Sequence, residues 1–382
     1  MALTVLCALS ACGGRSIFQK TSIKPRTLRD VPAERLAFRF EGDVATPAGA
    51  TALGGPTGGG FVPEIQTEFD VRRPNDALLR TVLAPDKQRV LAVYASAETP
   101  EGEFRIDLYA ADGRLIKTVI PDGLAGAFAP AVGWSPDGNF ISFIGRRPTT
   151  KPIEPTAPIP DDVPPLPPGI TPTPGVPPPG MSIVPAFETE QIYLATRDGT
   201  DLKPLTTRPG LIYYFYAWSP DSHSLAAMAC LEREWTAREA DGLGQIPAGR
   251  PRIIQLTGQE RLLDDKLSDA PLVWCADGSK IAVAYEYDVK LYDVAGEKPG
   301  RSVIPLKDRL LAASRAFDVK TGAPVGEGDP VSFYPVATLF WPDPKTLYVR
   351  TGYVPRSESD RPVNVFSRWH AVQLSPQAAL LN

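Results

Sequence analysis

VGWSPDGNFISFIG, residues 132–145, decides the fold. A short apolar run ends on Trp134, a Pro136-Asp137-Gly138 turn follows, and then hydrophobic and small residues alternate as they do in a strand. Pro presets φ near −65° early in a turn, Asp accepts bonds from nearby backbone amides, and Gly takes the positive φ that closes it. The stretch therefore reads as two antiparallel strands joined by a tight turn. It recurs as YAWSPDSHSLAAMA at 216–229, LVWCADGSKIAVAY at 272–285 and TLFWPDPKTLYVRT at 338–351, with a degenerate copy, TVLAPDKQRVLAVY, at 81–94. The anchor aspartates are Asp86, Asp137, Asp221, Asp277 and Asp343, spaced by 51, 84, 56 and 66 residues. Trp134, Trp218, Trp274 and Trp341 end the first strand of four copies, and this equivalent placement implies packing between neighbouring repeats.

A second pattern follows each copy: strand, Gly-containing turn, strand. It is clearest in QIYLATRDGTDLKPLTT at 191–207 and is repeated, less regularly, at 105–120, 252–264 and 289–304. One repeat is thus four strands, a to d, and removing a Pro-rich insert from the longest spacing brings the period into the forties and fifties, the length of a propeller blade. The fold class is all-β, a β-propeller of five to six four-stranded blades with long loops on one face. LAFRFEG (36–42) and FVPEIQTEF (61–69) supply either a sixth blade or the strand that closes the ring.

These motifs resemble the TolB-like repeats, a WD-repeat-like family also found in the propeller domains of some serine peptidases. The resemblance covers residues 80–350 and implies the fold while being nearly silent on function. This chain departs from the pattern at Ala84, at Cys275-Ala276 and at Pro344.

The N-terminus reads MALTVLCALSACGGR. Residues Ala2 to Ala11 are almost wholly apolar but too few to span a bilayer as a helix, and a short apolar stretch ending in small residues reads as a signal peptide. Leu9-Ser10-Ala11-Cys12 resembles the bacterial lipobox, which implies lipidation of Cys12; an ordinary cleaved signal is the alternative. Residues 1–12 are then a lipoprotein-type signal segment, 13–60 a flexible linker, and 61–382 the propeller, with a Pro-rich insert over 146–187. The linker carries a basic run, Arg15 to Arg35, and a Gly-rich stretch at 45–60. Lipid attachment implies the cell envelope, on the periplasmic side of the outer membrane in a diderm, otherwise on the outer face of the cytoplasmic membrane.

Proline is the compositional outlier: 42 residues, fifteen of them between Pro148 and Pro185. At this density the chain favours polyproline II, and Pro164, Pro165, Pro167, Pro168, Pro177, Pro178 and Pro179 are candidate contacts for a partner groove. A spacer without a partner is the alternative. Trp235, amid charges at 231–250, either anchors a partner or folds onto the blade rim.

The formal net charge of −4 carries no basic excess, and no nucleic-acid-binding signature occurs. No nucleophile elbow, P-loop or zinc motif is present. Two histidines, His223 and His370, give little material for metal chemistry, and the turn role accounts for the repeat aspartates. No cofactor and no metal are expected. Cys230 and Cys275 should be free, buried thiols near opposite ends of their strands. The reading is a non-catalytic, membrane-tethered module holding an envelope protein or peptide. Its alternatives are a structural subunit of a larger membrane complex and a propeller enzyme with a small-molecule site in the channel.

Overall fold

The structure, a computed structural model, describes residues 27–50, 61–96, 100–149, 184–240, 247–296, 300–313, 336–352 and 367–377. The first strand, β1 (Leu36–Val44), is followed by helix α1 (Pro63–Arg72). Unit one then comprises β2 (Ala77–Leu83), β3 (Arg89–Ala95), β4 (Glu103–Ala110) and β5 (Leu115–Thr118). A short strand, β6 (Ala125–Ala127), precedes unit two: β7 (Gly133–Trp134), β8 (Phe140–Arg146), β9 (Gln191–Thr196) and β10 (Lys203–Pro204). Unit three is β11 (Leu211–Trp218), β12 (Ser224–Leu231), helix α2 (Glu232–Ala240), β13 (Arg250–Gln255) and β14 (Glu260–Leu262). Unit four is β15 (Val273–Trp274), β16 (Lys280–Tyr285), β17 (Asp288–Asp293) and β18 (Arg301–Pro305), followed by helix α3 (Lys307–Ala313). The fifth unit holds β19 (Val336–Asp343), β20 (Thr346–Gly352) and β21 (Ser367–Pro376).

Each unit is antiparallel, and its strands pair in chain order. Units one and two are stitched into one larger sheet by β6, which pairs with both β4 and β8. Among the described residues the fifth unit has three strands of its own; the fourth is β1, paired antiparallel to β21 from Leu36↔Pro376 to Val44↔Trp369. The chain is thus mostly β, built of four-stranded antiparallel sheets, as a β-propeller is.

Sequence and structure agree on the turns. Asp86, Asp137, Asp221, Asp277 and Asp343 each accept from the backbone N–H two residues on, at 2.8–3.1 Å. Gly138 and Gly278 take the positive φ between them, and Lys87 and Ser222 do so where glycine is absent. The tryptophans join units. Trp134 Nε1 donates to Val82 O at 3.1 Å, Trp218 Nε1 to Ser142 Oγ at 2.8 Å, and Trp274 Nε1 to Ala217 O at 3.0 Å, each on the preceding unit. Trp341 is buried against residues of unit four such as Cys275 and Ala282. Buried clusters span units one and two, two and three, three and four, and four and five. Both faces of most strands are covered, which is why FISFI and IAVAY carry so little polar material.

Two sequence expectations need correction. Residues 61–69 form no strand. Pro63 opens α1, and Ile65 and Phe69, four apart, fall on one helical face that is buried against Val90, Ala92 and Tyr94 of unit one. Arg73, capping that helix, donates to the fully buried Asp107 at 2.9 Å and lies 4.3 Å over the Tyr94 ring. The linker assigned to 13–60 also contains structure. Leu28–Asp30 and Ala33–Arg35 are short 3-10 turns, and β1 belongs to the fifth unit, so the fold begins well before residue 61.

Candidate binding face

Strand direction gives the units two unlike ends. The a–b and c–d turns lie at one end and are short. At the other end leave the b–c and d–a connections: α1, β6, the segment between β8 and β9, α2 and α3. The loop expected at 231–250 is therefore partly helical. The connections over 314–335 and 353–366 lie outside the described residues.

Helix α2 continues directly from β12. Arg250, at the start of β13, holds Glu234 through two bonds of 2.8 and 2.9 Å, and Glu234 also accepts from Leu231 N–H at 2.9 Å. Trp235, the next residue, is turned inward. Its ring meets Phe128 edge-on at 5.8 Å and Tyr214 at 6.2 Å, and its Nε1 donates to Glu239 at 2.7 Å. Trp235 is half-buried, folded onto the rim. What α2 presents outward is Glu232, Arg233, Thr236, Ala237 and Ala240, which line a shallow depression.

The seven candidate prolines and Cys12 lie outside the described residues, but the two stems of the Pro-rich insert are fixed. Arg147 N–H donates to Phe187 O at 2.7 Å, and the Arg147 guanidinium pairs with Glu188. Tyr193 OH donates to Pro185 O at 2.8 Å. Thr149 donates to Glu103 from both N–H and Oγ1, at 2.8 and 2.7 Å. Glu103 is buried, and the same oxygen also accepts from Arg146 at 3.3 Å. Its second oxygen is buried and has no hydrogen-bond partner among the described residues. Glu190 lies on the other side of Arg146, 3.6 Å from its Nε. Burial raises the Glu190 carboxyl pKa and Arg146 opposes the rise, while Glu232 and Glu239 on α2 reinforce it.

Sequence reasoning singled out Trp235 but missed Glu103, Arg146 and Thr149. They come together because β6 ties β4 to β8, a register no motif announces. The set is an unsatisfied acceptor beside a guanidinium, and it can take an N–H or O–H donor.

Cys230 and Cys275 are both free and buried. Burial pushes their thiols up to about 11 and about 12. We expect neither to react with a thiol reagent at pH 8 until the protein is unfolded, when both should titrate; labelling of Cys230 or Cys275 in the native protein, located by peptide mapping, would contradict this. Among the described residues no group of three or more His, Cys, Asp and Glu side chains is placed to hold a metal ion. Among them, too, no helix is long and apolar enough to cross a membrane.

No family model matches the chain, and neither does any curated protein. Solved structures do. An oligogalacturonate lyase in complex with manganese matches at 12% identity over 78% of this chain, with a TM-score of 0.40. Prolyl oligopeptidase B from Galerina marginata matches at 9% identity over 76% of this chain, with a TM-score of 0.40. A nidogen/laminin complex matches at 12% identity over 80% of this chain and 88% of that one, with a TM-score of 0.34. This chain spans 65% of the lyase and 35% of the peptidase. These neighbours are β-propeller proteins, and enzymes stand among them beside binding proteins.

Proposed function

We propose that this protein is a five-bladed, TolB-like propeller that serves as a binding module without catalysis of its own, tethered at the cell envelope by a lipid on Cys12. In this reading β1 completes the fifth blade, and the end carrying α2 and the insert stems is the face that holds a protein or peptide. The observation that carries it is the convergence at this end of the stems at 147–149 and 184–188 with the buried, half-satisfied Glu103 carboxylate. Rigid scaffolds commonly concentrate recognition on such connections. The Pro-rich insert leaves from stems already pinned to each other, so part of the ordering cost of presenting it is met before any partner arrives.

The test is isolation of the full-length protein from crosslinked native membranes beside a variant lacking residues 151–180. A stoichiometric partner present with the first and lost with the second is the expected result. A partner recovered equally in both samples would remove the insert from the interface. In the same preparation Cys12→Ser should move the protein into the soluble fraction, and retention in membranes would refute the lipid tether.

A further inference from the structure

The chain reaches its first strand along a strap, residues 28–36, that crosses unit four. Leu28, Val31, Ala33 and Leu36 are buried in the cluster shared by units four and five. Lys280, almost fully buried, donates from Nζ to Leu28 O at 3.0 Å and lies 3.3 Å from Asp293 Oδ1. Both Asp293 oxygens accept from Ala33 N–H, at 2.9 and 3.1 Å. Arg35 O accepts from Gln377 N–H at 2.9 Å. A buried ammonium is held only where its partners are complete, so this strap is a fixed part of the structure.

Its position follows from the strand ends that hold it. Lys280 opens β16 just after an a–b turn, Asp293 closes β17 before a c–d turn, and Leu36 pairs with Pro376 at the last residue of β21. All are at the short-turn end. The strap therefore delivers the chain to the end opposite α2 and the insert stems, and exposed Thr27 marks where the N-terminal segment departs.

Resting on the reading of Cys12 as the lipid anchor, we propose that the short-turn end of the molecule faces the membrane and the α2 end faces away from it, open to a partner in the aqueous compartment. From Cys12 to Leu28 the chain spans at most about 55 Å even fully extended, which bounds how far the strap can stand from the lipid surface. The strands between the two ends add roughly 25 Å, at about 3.3 Å per residue, to the distance of the α2 face.

Single cysteines test the arrangement in the full-length lipidated protein, because Cys230 and Cys275 are buried. Asn139→Cys and His223→Cys place a fluorophore at the short-turn end, and Arg233→Cys and Thr236→Cys place it on α2. In phosphatidylglycerol–phosphatidylethanolamine vesicles with a headgroup energy acceptor, transfer from 139 and 223 should exceed that from 233 and 236 by about twofold, given the strand length between them. Equal transfer, or greater transfer from α2, overturns the orientation. Vesicle sedimentation of the same samples is a separate readout. Protein left in the supernatant refutes the tether itself, and the orientation falls with it.

Discussion

A chain that begins at Ala45 is expected to lose cooperative folding altogether, whereas one that begins at Thr27 should keep the full-length transition. Removing residues 27–44 strips the fourth strand from the fifth unit and leaves β21 unpaired along one edge. Phe38 and Phe40, packed on the cluster around Val372 and Leu374, go with it. So do Leu28, Val31 and Leu36, which are buried, and each fully buried aliphatic side chain is worth about 1.5–3 kcal/mol. The strap also satisfies Lys280, whose ammonium would be left beside Asp293 without its Leu28 carbonyl. Together these losses are on the order of the 5–15 kcal/mol that hold a typical domain folded. Tryptophan fluorescence against urea checks it: the shortened chain should show no transition baseline, and a peptide of residues 27–44 added in trans should restore one. An unchanged midpoint after deletion to residue 45 would mean that these residues are a linker after all.

The second large effect is acid sensitivity centred on one histidine. His370 is buried in β21, its ring stacked on Phe40 at 5.4 Å. Nδ1 accepts from Asp43 N–H at 3.2 Å, so Nε2 carries the proton and donates to Thr351 Oγ1 at 3.1 Å. A second proton would have to sit on Nδ1, where it faces that N–H. Burial first, and the nearby Arg368 second, pull the His370 pKa down to about 4. The unfolded chain titrates near 6.5, so the folded state binds the proton less readily. Its contribution to stability is complete above pH 6.5 and is lost as the pH falls toward 4. Between pH 7 and pH 5 the loss should be about 2 kcal/mol, from one group. His370→Gln should be nearly flat over that interval, because glutamine keeps an acceptor and a donor but no titration. Parallel pH profiles for the two proteins would assign the acid loss elsewhere.

The parts of this fold that the sequence makes visible are those whose chemistry is forced. Asp137 must accept from an amide two residues on, and Gly138 must take a positive φ, so the turn writes itself into the residues. A buried indole N–H gains from an acceptor, and Trp134, Trp218 and Trp274 recur at one register and bond the preceding sheet, whereas Trp341 at the same register is buried with its Nε1 unbonded among the described residues. Helix α1 was hidden because FVPEIQTEF shows apolar residues at spacings that fit a strand or a helix; Pro63 at the first helical position and the four-residue interval from Ile65 to Phe69 favour the helix. The candidate binding face is the least visible part. Glu103 and Arg146 are 43 residues apart and meet only through sheet register, and Trp235 packs inward on Phe128 and Tyr214, residues far from it in sequence or on another strand. Neither arrangement leaves a local pattern.

Recognition is proposed at the α2 end. A photo-crosslinking residue placed at Thr236 on α2, and in a second protein at His223 in a short turn, tests it directly in intact cells. One discrete, stoichiometric adduct is expected from position 236 and none from 223. An adduct from 223 alone, or none from either, would contradict it.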